Sequence, residues 1–202
     1  MSNIMSMKYM VTLVGSLYAG KSSIIGSFMR GSPYQSQSVD LEDGCYKEIH
    51  LKNDQSINLM IMDTHGQERY RAINKFFIKR SKATLIVFNT NNKSQYKEAV
   101  EYWYPEAIEC NKDTLIILVG VIYSRNYYFN EVLDESIPLN FAKEHNILYR
   151  TVSYEQYVGI EELFQEVAEI LYKREFGGED NSVFYIKDCT KNNKHVNKKQ
   201  CV

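Results

Sequence analysis

The stretch YMVTLVGSLYAGKSSIIGSFM, residues 9–29, contains in order an apolar run, a turn with two glycines and an amphipathic segment. The run Tyr9–Val14 predicts a buried strand, and the segment Lys21–Met29, with apolar side chains on one face, predicts a helix. Residues 15–22 match the pattern G-x-x-x-x-G-K-[ST], in which backbone N–H groups and a helix N-terminus surround phosphate groups. Because the strand and the helix flank this pattern in the required order, it predicts a phosphate-binding loop, with a chance glycine turn as the alternative.

Two side chains of this loop have specific chemistry. Lys21 places a cation against the outer phosphates, and Ser22 offers a hydroxyl to Mg²⁺, a hard cation that prefers oxygen ligands. The residues of the loop and of the next turn that we predict to contact a nucleotide are Gly15, Tyr18, Ala19, Gly20, Lys21, Ser22 and Ser23.

The rest of the chain alternates between predicted strands and helices. The further strands are Ile49–Leu51, Ile57–Ile61, Thr84–Phe88, Leu115–Gly120 and Ile147–Val152, and the further helices are Gln95–Cys110, Ile137–His145 and Ile160–Lys173. This order predicts a three-layer α/β fold around a mostly parallel sheet, in which the one hairpin adds a single antiparallel edge strand. Ligands of such sheets bind outside the carboxyl ends of the strands.

Composition limits the class of protein. The chain has 202 residues, a net charge of -1, 44% hydrophobic and 24% charged residues, which indicates a globular domain and excludes disorder throughout. Near-neutrality argues against nucleic-acid binding. The four cysteines are widely spaced and predict reduced thiols in a cytoplasmic protein. The longest apolar stretch, Leu115–Tyr123, is too short to span a bilayer.

A second candidate site, Asp63-Thr64-His65-Gly66-Gln67-Glu68, directly follows a predicted strand. Asp63 is positioned to hold Mg²⁺ through water, Gly66 to give its N–H to the terminal phosphate, and Gln67 to orient an attacking water as the catalytic residue. An acid after a strand is by itself usually a helix cap. Together with the phosphate loop, it indicates a nucleoside triphosphatase.

Residues 63–71, DTHGQERYR, are similar to the D-T-A-G-Q-E-R-F/Y-R stretch of Ras-superfamily small GTPases. Trp103 lies where Rab-like chains often have a tryptophan, and Leu118–Gly120 matches the start of the base-recognition motif. The chain therefore resembles a divergent, Rab-like small GTPase. The resemblance implies a P-loop NTPase G-domain with six strands and five helices over residues 8–174, and GTP/GDP and Mg²⁺ as ligands. It also implies slow hydrolysis, switch loops, effector and regulator proteins as partners, a monomeric state and a role in vesicle trafficking.

The base-recognition motif departs from this family. Val121–Ser124 stands where the family has N-K-x-D, so the carboxylate that accepts two hydrogen bonds from guanine is missing. Ser153 and Tyr154 stand in the place of the S-A-K motif, where a backbone N–H can still meet the base carbonyl. Tyr34 is predicted to stack on the base, with surface packing as the alternative. Three interpretations stay open: a slow GTPase, a protein-binding module on a G-domain scaffold that keeps nucleotide without turnover or binds none, and a nucleotide site that also accepts ATP.

Two further departures concern hydrolysis and metal binding. Leu17 and Tyr18 are larger than the small residues usual in the loop, which predicts slow or absent hydrolysis unless both side chains point to solvent. His65 likewise replaces a small residue and is interpreted as a spectator. In the first switch region, Ser38 is the predicted additional Mg²⁺ ligand, because the segment offers serines and no threonine.

Residues 175–202 predict a flexible, basic tail, with five lysines and three acids after position 177. Lysines precede the penultimate Cys201, which suggests lipid attachment and peripheral association with endomembranes. A solvated basic tail is the alternative, because Lys199 stands where a prenylation box requires cysteine.

Overall fold

The computed structural model describes residues 8–34, 44–52, 54–64, 71–123 and 132–177. Within them, six strands form one sheet in the order β2-β3-β1-β4-β5-β6. β2 pairs with β3 in the antiparallel sense, and every other pair is parallel. The strands are β1 (Lys8–Val14), β2 (Cys45–His50), β3 (Ser56–Asp63), β4 (Ala83–Asn89), β5 (Leu115–Val121) and β6 (Leu148–Val152). The predicted sheet with a single antiparallel edge strand is confirmed.

Five helices accompany this sheet in the described part of the chain, as the resemblance implied. They are α1 (Lys21–Arg30), α2 (Arg71–Arg80), α3 (Lys93–Cys110), α4 (Ser136–Glu144) and α5 (Ile160–Phe176). α3 is continuous but contains a π-helical turn at Ala99–Trp103. Apolar periodicity did not reveal α2, which buries only Asn74 and Ile78 and exposes most of its other side chains. Among the described residues, no helix is both long and apolar enough to cross a bilayer.

Two apolar layers cover the two faces of the sheet. On one face, α1 and α5 pack together through Phe28 and Phe164, whose stacked ring centroids lie 4.0 Å apart. On the other face, Trp103 of α3 is buried with Ile78 of α2 and Ala142 of α4. Successive residues of β4 and β5 alternate between these layers, as the two-residue period of a strand requires. The core thus holds the central strands rigidly, and their carboxyl ends define one edge of the molecule.

This edge collects the candidate site. The phosphate loop follows β1, and Leu13 of β1 pairs with Asp63 at the end of β3. The segments after β5 and β6 leave the sheet at the same edge, because these strands are parallel to β1. Residues that are predicted to bind the nucleotide and are distant in sequence therefore lie side by side at this edge.

Candidate functional site

The phosphate loop has a backbone that few side chains tolerate. Gly15 has a φ of +142°, and Gly20, which begins α1, has a φ of +99°. Tyr18 also has a positive φ of 61° although it carries a Cβ, and its side chain is 83% exposed. Left-handed backbone is strained for a non-glycine residue, and such strain concentrates at functional sites. The backbone thus adopts the phosphate-loop turn at Tyr18, although this conformation is strained for a residue with a Cβ.

The N-terminus of α1 is suited to an anion. No side chain caps it, its first turn contains no acid, and Gly20 accepts the first helical hydrogen bond from Ile24 N at 2.9 Å. The first N–H groups of a helix have no partner within the helix, and the helix dipole adds positive potential there. The loop and the helix therefore form the phosphate-binding arrangement that the sequence predicted.

Lys21 is buried at the centre of this arrangement. Its ammonium group donates hydrogen bonds to the Gly15 carbonyl at 3.0 Å and to the Ser16 carbonyl at 2.9 Å. Burial lowers the pKa of Lys21 to about 8, although the negative charges of Asp63 and Glu98 act in the opposite direction. The ammonium group is held inside the loop at an electrostatic disadvantage, which an anionic ligand would relieve.

Ser22 and Asp63 come together from different elements. The Ser22 hydroxyl donates to Asp63 Oδ2 at 2.5 Å, which joins the first turn of α1 to the end of β3. Next to them, the buried Thr64 hydroxyl donates to the Leu13 carbonyl at 2.6 Å and fastens the end of β3 to β1. A hydroxyl and a carboxylate are the oxygen ligands that Mg²⁺ prefers, so these two residues fit a magnesium ion.

α3 supports the loop from the other side, a role that the sequence analysis missed. The Ser16 hydroxyl donates to Glu98 Oε2 at 2.6 Å, and Trp103 Nε1 donates to Glu98 Oε1 at 3.1 Å. Gln95 Nε2 donates to the Leu17 carbonyl at 3.1 Å. In sequence, Gln95 and Glu98 resemble ordinary polar residues of an amphipathic helix, and only their contacts reveal that they fasten the phosphate loop.

We predict that Glu98→Ala lowers the free energy of unfolding by about 1–3 kcal/mol, because it leaves the donors of Ser16 and Trp103 without their acceptor. Urea denaturation of the unliganded protein measures this change. The matched control is Glu101→Ala on the same helix, where an exposed ion pair with Lys97 is expected to contribute less than about 1 kcal/mol. Equal losses in the two variants would contradict the prediction.

Three tyrosines gather at the α1 side of the edge. Tyr154 lies edge-to-face between the other two, with its ring centroid 5.7 Å from that of Tyr34 and 5.4 Å from that of Tyr123. The Tyr34 ring also packs on α1, 5.3 Å from the Arg30 guanidinium group. Tyr34 therefore packs against α1, as the surface-packing alternative predicts, and it also lies beside Tyr154 at the site. Tyr123 was noted in sequence only as a departure from the motif.

The serine that precedes Tyr154 differs from the sequence-based picture. The Ser153 N–H donates a hydrogen bond to the Val158 carbonyl at 2.9 Å. Because this N–H is already engaged, the expected contact to a base carbonyl would come from the N–H of Tyr154. The Ser153 side chain is buried at 4% exposure, and its hydroxyl has no hydrogen-bond partner among the described residues. This hydroxyl is thus a buried polar group without a compensating hydrogen bond in the described part of the chain.

Several predicted site residues lie outside the described residues: Ser38, His65, Gly66, Gln67 and Cys201. Of the two bulky loop residues, Leu17 is 41% exposed and Tyr18 is 83% exposed, so neither is sequestered in the core. The described part of the site therefore brings together the phosphate-loop residues, Asp63 and the tyrosines.

Comparison with known proteins agrees with this geometry. The Ras family model matches residues 10–173, which include most of β1, the phosphate loop, the strands β2 to β6 and most of α5. The chain belongs to the Ras family. It is a divergent member, since its curated relatives share low sequence identity with it.

Several relatives of this Ras-family chain have Rab names. It is 27% identical to the Ras-related protein RabH of Dictyostelium discoideum over 85% of both chains. It is 22% identical to the Ras-related protein Rab5A of Oryza sativa over 80% of this chain and 78% of the relative. A probable Rab-related GTPase of Acanthamoeba polyphaga mimivirus is 32% identical over 55% of this chain and 53% of the relative. The chain is therefore a Rab-like small GTPase in sequence, as the resemblance indicated.

Proposed function

We propose that this Ras-family protein binds GTP and GDP with Mg²⁺, hydrolyses GTP slowly and acts as a molecular switch in vesicle trafficking. The observation that carries the proposal is the convergence of the buried Lys21 with the Ser22–Asp63 pair at the N-terminus of α1. This arrangement brings a cation, helix N–H donors and oxygen ligands together from the first turn of α1 and the end of β3.

Each residue has a distinct role in the proposed nucleotide complex. The N–H groups of the loop surround the phosphates, and the Lys21 ammonium group exchanges its carbonyl partners for outer phosphate oxygens. Ser22 would hold Mg²⁺ through its hydroxyl and Asp63 through water, with Ser38 as a further ligand. When bound, Mg²⁺ neutralises charge on the phosphates. Gly66 gives its N–H to the terminal phosphate, and its contacts order the second switch.

Hydrolysis is proposed to depend on Gln67, which orients the attacking water. In the Ras superfamily, which this chain resembles, a side chain at the position of Leu17 obstructs the approach of the glutamine and of a partner's arginine, and on this ground we propose slow intrinsic turnover. Leu17 is 41% exposed, so this proposal rests on the resemblance and not on burial of the side chain. A protein that retains GTP for a long time would present its switch regions to effectors until a regulator acts.

Further proposals concern the bounds of the domain, the C-terminal tail and the binding partners. We propose residues 8–174 as the G-domain and residues 175–202, the first two of which still belong to α5, as a basic tail that brings the protein to endomembranes through Cys201. The basic side chains of the tail suit an anionic lipid surface. The proposed partners are effectors and regulators that bind a monomer.

Single-turnover hydrolysis tests the proposed reaction. With the protein in excess over radiolabelled GTP and Mg²⁺, slow release of phosphate is expected, and Gln67→Leu is expected to reduce the rate on the order of 100-fold. Leu17→Gly is expected to raise it, because it opens the space beside the terminal phosphate. The matched control is Gln165→Leu on α5, where the glutamine donates only to the His50 carbonyl and to Glu169. Binding of GTP without any turnover, unchanged by these variants, would favour a protein-binding module instead.

A further inference from the structure

The residues directly after β5 lack the carboxylate that reads guanine in this family. Residues 121–124, VIYS, stand in the place of N-K-x-D and contain no Asp or Glu, and the next acid along the chain is Glu131. Discrimination between bases by orders of magnitude requires such polar groups, which are left unpaired when the wrong base binds. The contribution of this segment to base binding must therefore have a different chemistry.

Tyr123 supplies an aromatic ring at this position. Its hydroxyl donates to the Tyr18 carbonyl at 3.1 Å, which connects the end of β5 to the phosphate loop. A methyl group built on Gly20 would lie 3.2 Å from Tyr123 Oη and 3.3 Å from Tyr154 Cε1. Both rings therefore border the loop directly above the N-terminus of α1, beside the proposed phosphate site.

Tyr154 is fixed at the same place by independent contacts. Its carbonyl accepts a hydrogen bond from Tyr34 N at 2.9 Å and one from the Ser27 hydroxyl at 3.2 Å. Its ring also contacts that of Tyr123 edge-to-face, with the centroids 5.4 Å apart. Tyr34, Tyr123 and Tyr154, here called the tyrosine cluster, are thus attached to α1 and to the loop, and not only to one another.

We propose that the tyrosine cluster binds the nucleotide base by stacking, so that the site accepts adenine and guanine nucleotides with similar affinity. The inference rests on the proposed nucleotide binding and specifies its substrate class as purine nucleoside di- and triphosphates. Stacking of a base on an aromatic side chain contributes about 1–3 kcal/mol and tolerates any base, because every base has a π-face. The phosphate loop supplies the remaining affinity.

Competition binding to the wild-type protein tests the proposal. A fluorescent GTP analogue is bound in the presence of Mg²⁺ and displaced by unlabelled GTP or ATP, and the two dissociation constants are expected to agree within about tenfold. Displacement by GTP at concentrations about 100-fold lower than by ATP would overturn the inference and leave the proposed GTP binding intact. Failure of the analogue to bind would overturn both.

Substitutions in the tyrosine cluster distinguish a loss of base stacking from a loss of folding. Tyr123→Leu is expected to weaken GTP and ATP binding by the same factor, roughly 5- to 150-fold for the loss of 1–3 kcal/mol. Tyr123→Phe keeps the ring and is expected to retain most of the affinity. The matched control is Tyr46→Leu on the exposed edge strand β2, which is expected to change neither constant. Thermal unfolding verifies that each variant is folded, and a loss confined to one of the two nucleotides would contradict stacking.

Discussion

Lys21→Met is expected to weaken GTP binding by roughly 30- to 4000-fold, the effect of removing one partner of a desolvated, hydrogen-bonded charge pair, about 2–5 kcal/mol. The methionine side chain keeps the apolar stem and loses the ammonium group that would meet the phosphates. Equilibrium titration with a fluorescent GTP analogue in the presence of Mg²⁺ measures the change. The matched control is Lys47→Met, where the ammonium group donates to the Phe28 carbonyl at the opposite end of α1. Wild-type affinity in the Lys21 variant would contradict the proposed site.

The same substitution is expected to leave the unliganded fold as stable as the wild type or more so. The pKa of Lys21 is lowered from 10.5 to about 8, and each pKa unit corresponds to about 1.4 kcal/mol, so at neutral pH the buried charge costs on the order of 3 kcal/mol. Below pH 8, both the folded and the unfolded chain carry this proton. Between about pH 8 and 10.5, the unfolded chain binds more protons, so stability rises with pH across that window. Urea denaturation at pH 7 and pH 9 should show the difference between variant and wild type becoming smaller at the higher pH.

Gly15→Ala is expected to lower the free energy of unfolding by about 3–5 kcal/mol or to prevent folding. Two independent penalties act at this position. A Cβ on Gly15 would lie 2.1 Å from the Val87 carbonyl oxygen in the central strand β4, where the backbone cannot move aside without breaking the sheet. In addition, the φ of +142° is a conformation that is essentially restricted to glycine.

Gly31→Ala is the matched control for this prediction. Gly31 also has a positive φ, +66°, but among the residues that the structure describes a Cβ there would meet only Tyr157 Oη, at 3.9 Å. This variant therefore carries the backbone penalty without the collision and is expected to lose about 1–2 kcal/mol. Urea denaturation of both variants separates the two terms. If the Gly15 variant were as stable as the Gly31 variant, the close approach of the Val87 carbonyl to Gly15 would not affect the free energy of unfolding.

The fold could be predicted from local sequence patterns, because buried strands and the edge hairpin each have a characteristic order of apolar and polar residues. The runs at β4 and β5 are almost wholly apolar, as strands covered on both faces must be, and the alternating pattern of the hairpin marked its edge strand. The exception was α2, which exposes most of its surface and so lacks a strong apolar period. The resemblance to the Ras family, and not the residue pattern, provided this helix.

The candidate site could be predicted only in part. Lys21, Ser22 and Asp63 belong to short motifs whose chemistry is readable from spacing. Gln95 and Glu98 have no such motif, because their role arises from where α3 passes the loop, and nothing in their neighbours along the chain indicates it. A signal for Tyr123 and Tyr154 did exist: both follow parallel strands, whose carboxyl ends share one edge of the sheet.

The amino-acid sequence alone thus determined the strand and helix order, the phosphate-binding loop and the loss of the carboxylate that reads guanine, since all three depend on residue type and local spacing. Only the tertiary structure decided that Glu98 supports the loop, that Gly15 has no room for a side chain beside Val87, and that three distant tyrosines meet above α1. The physical reason is that these features depend on the close approach of segments far apart in the chain. Such an approach is set by the packing of the whole sheet and its helices, and short-range patterns carry no record of it.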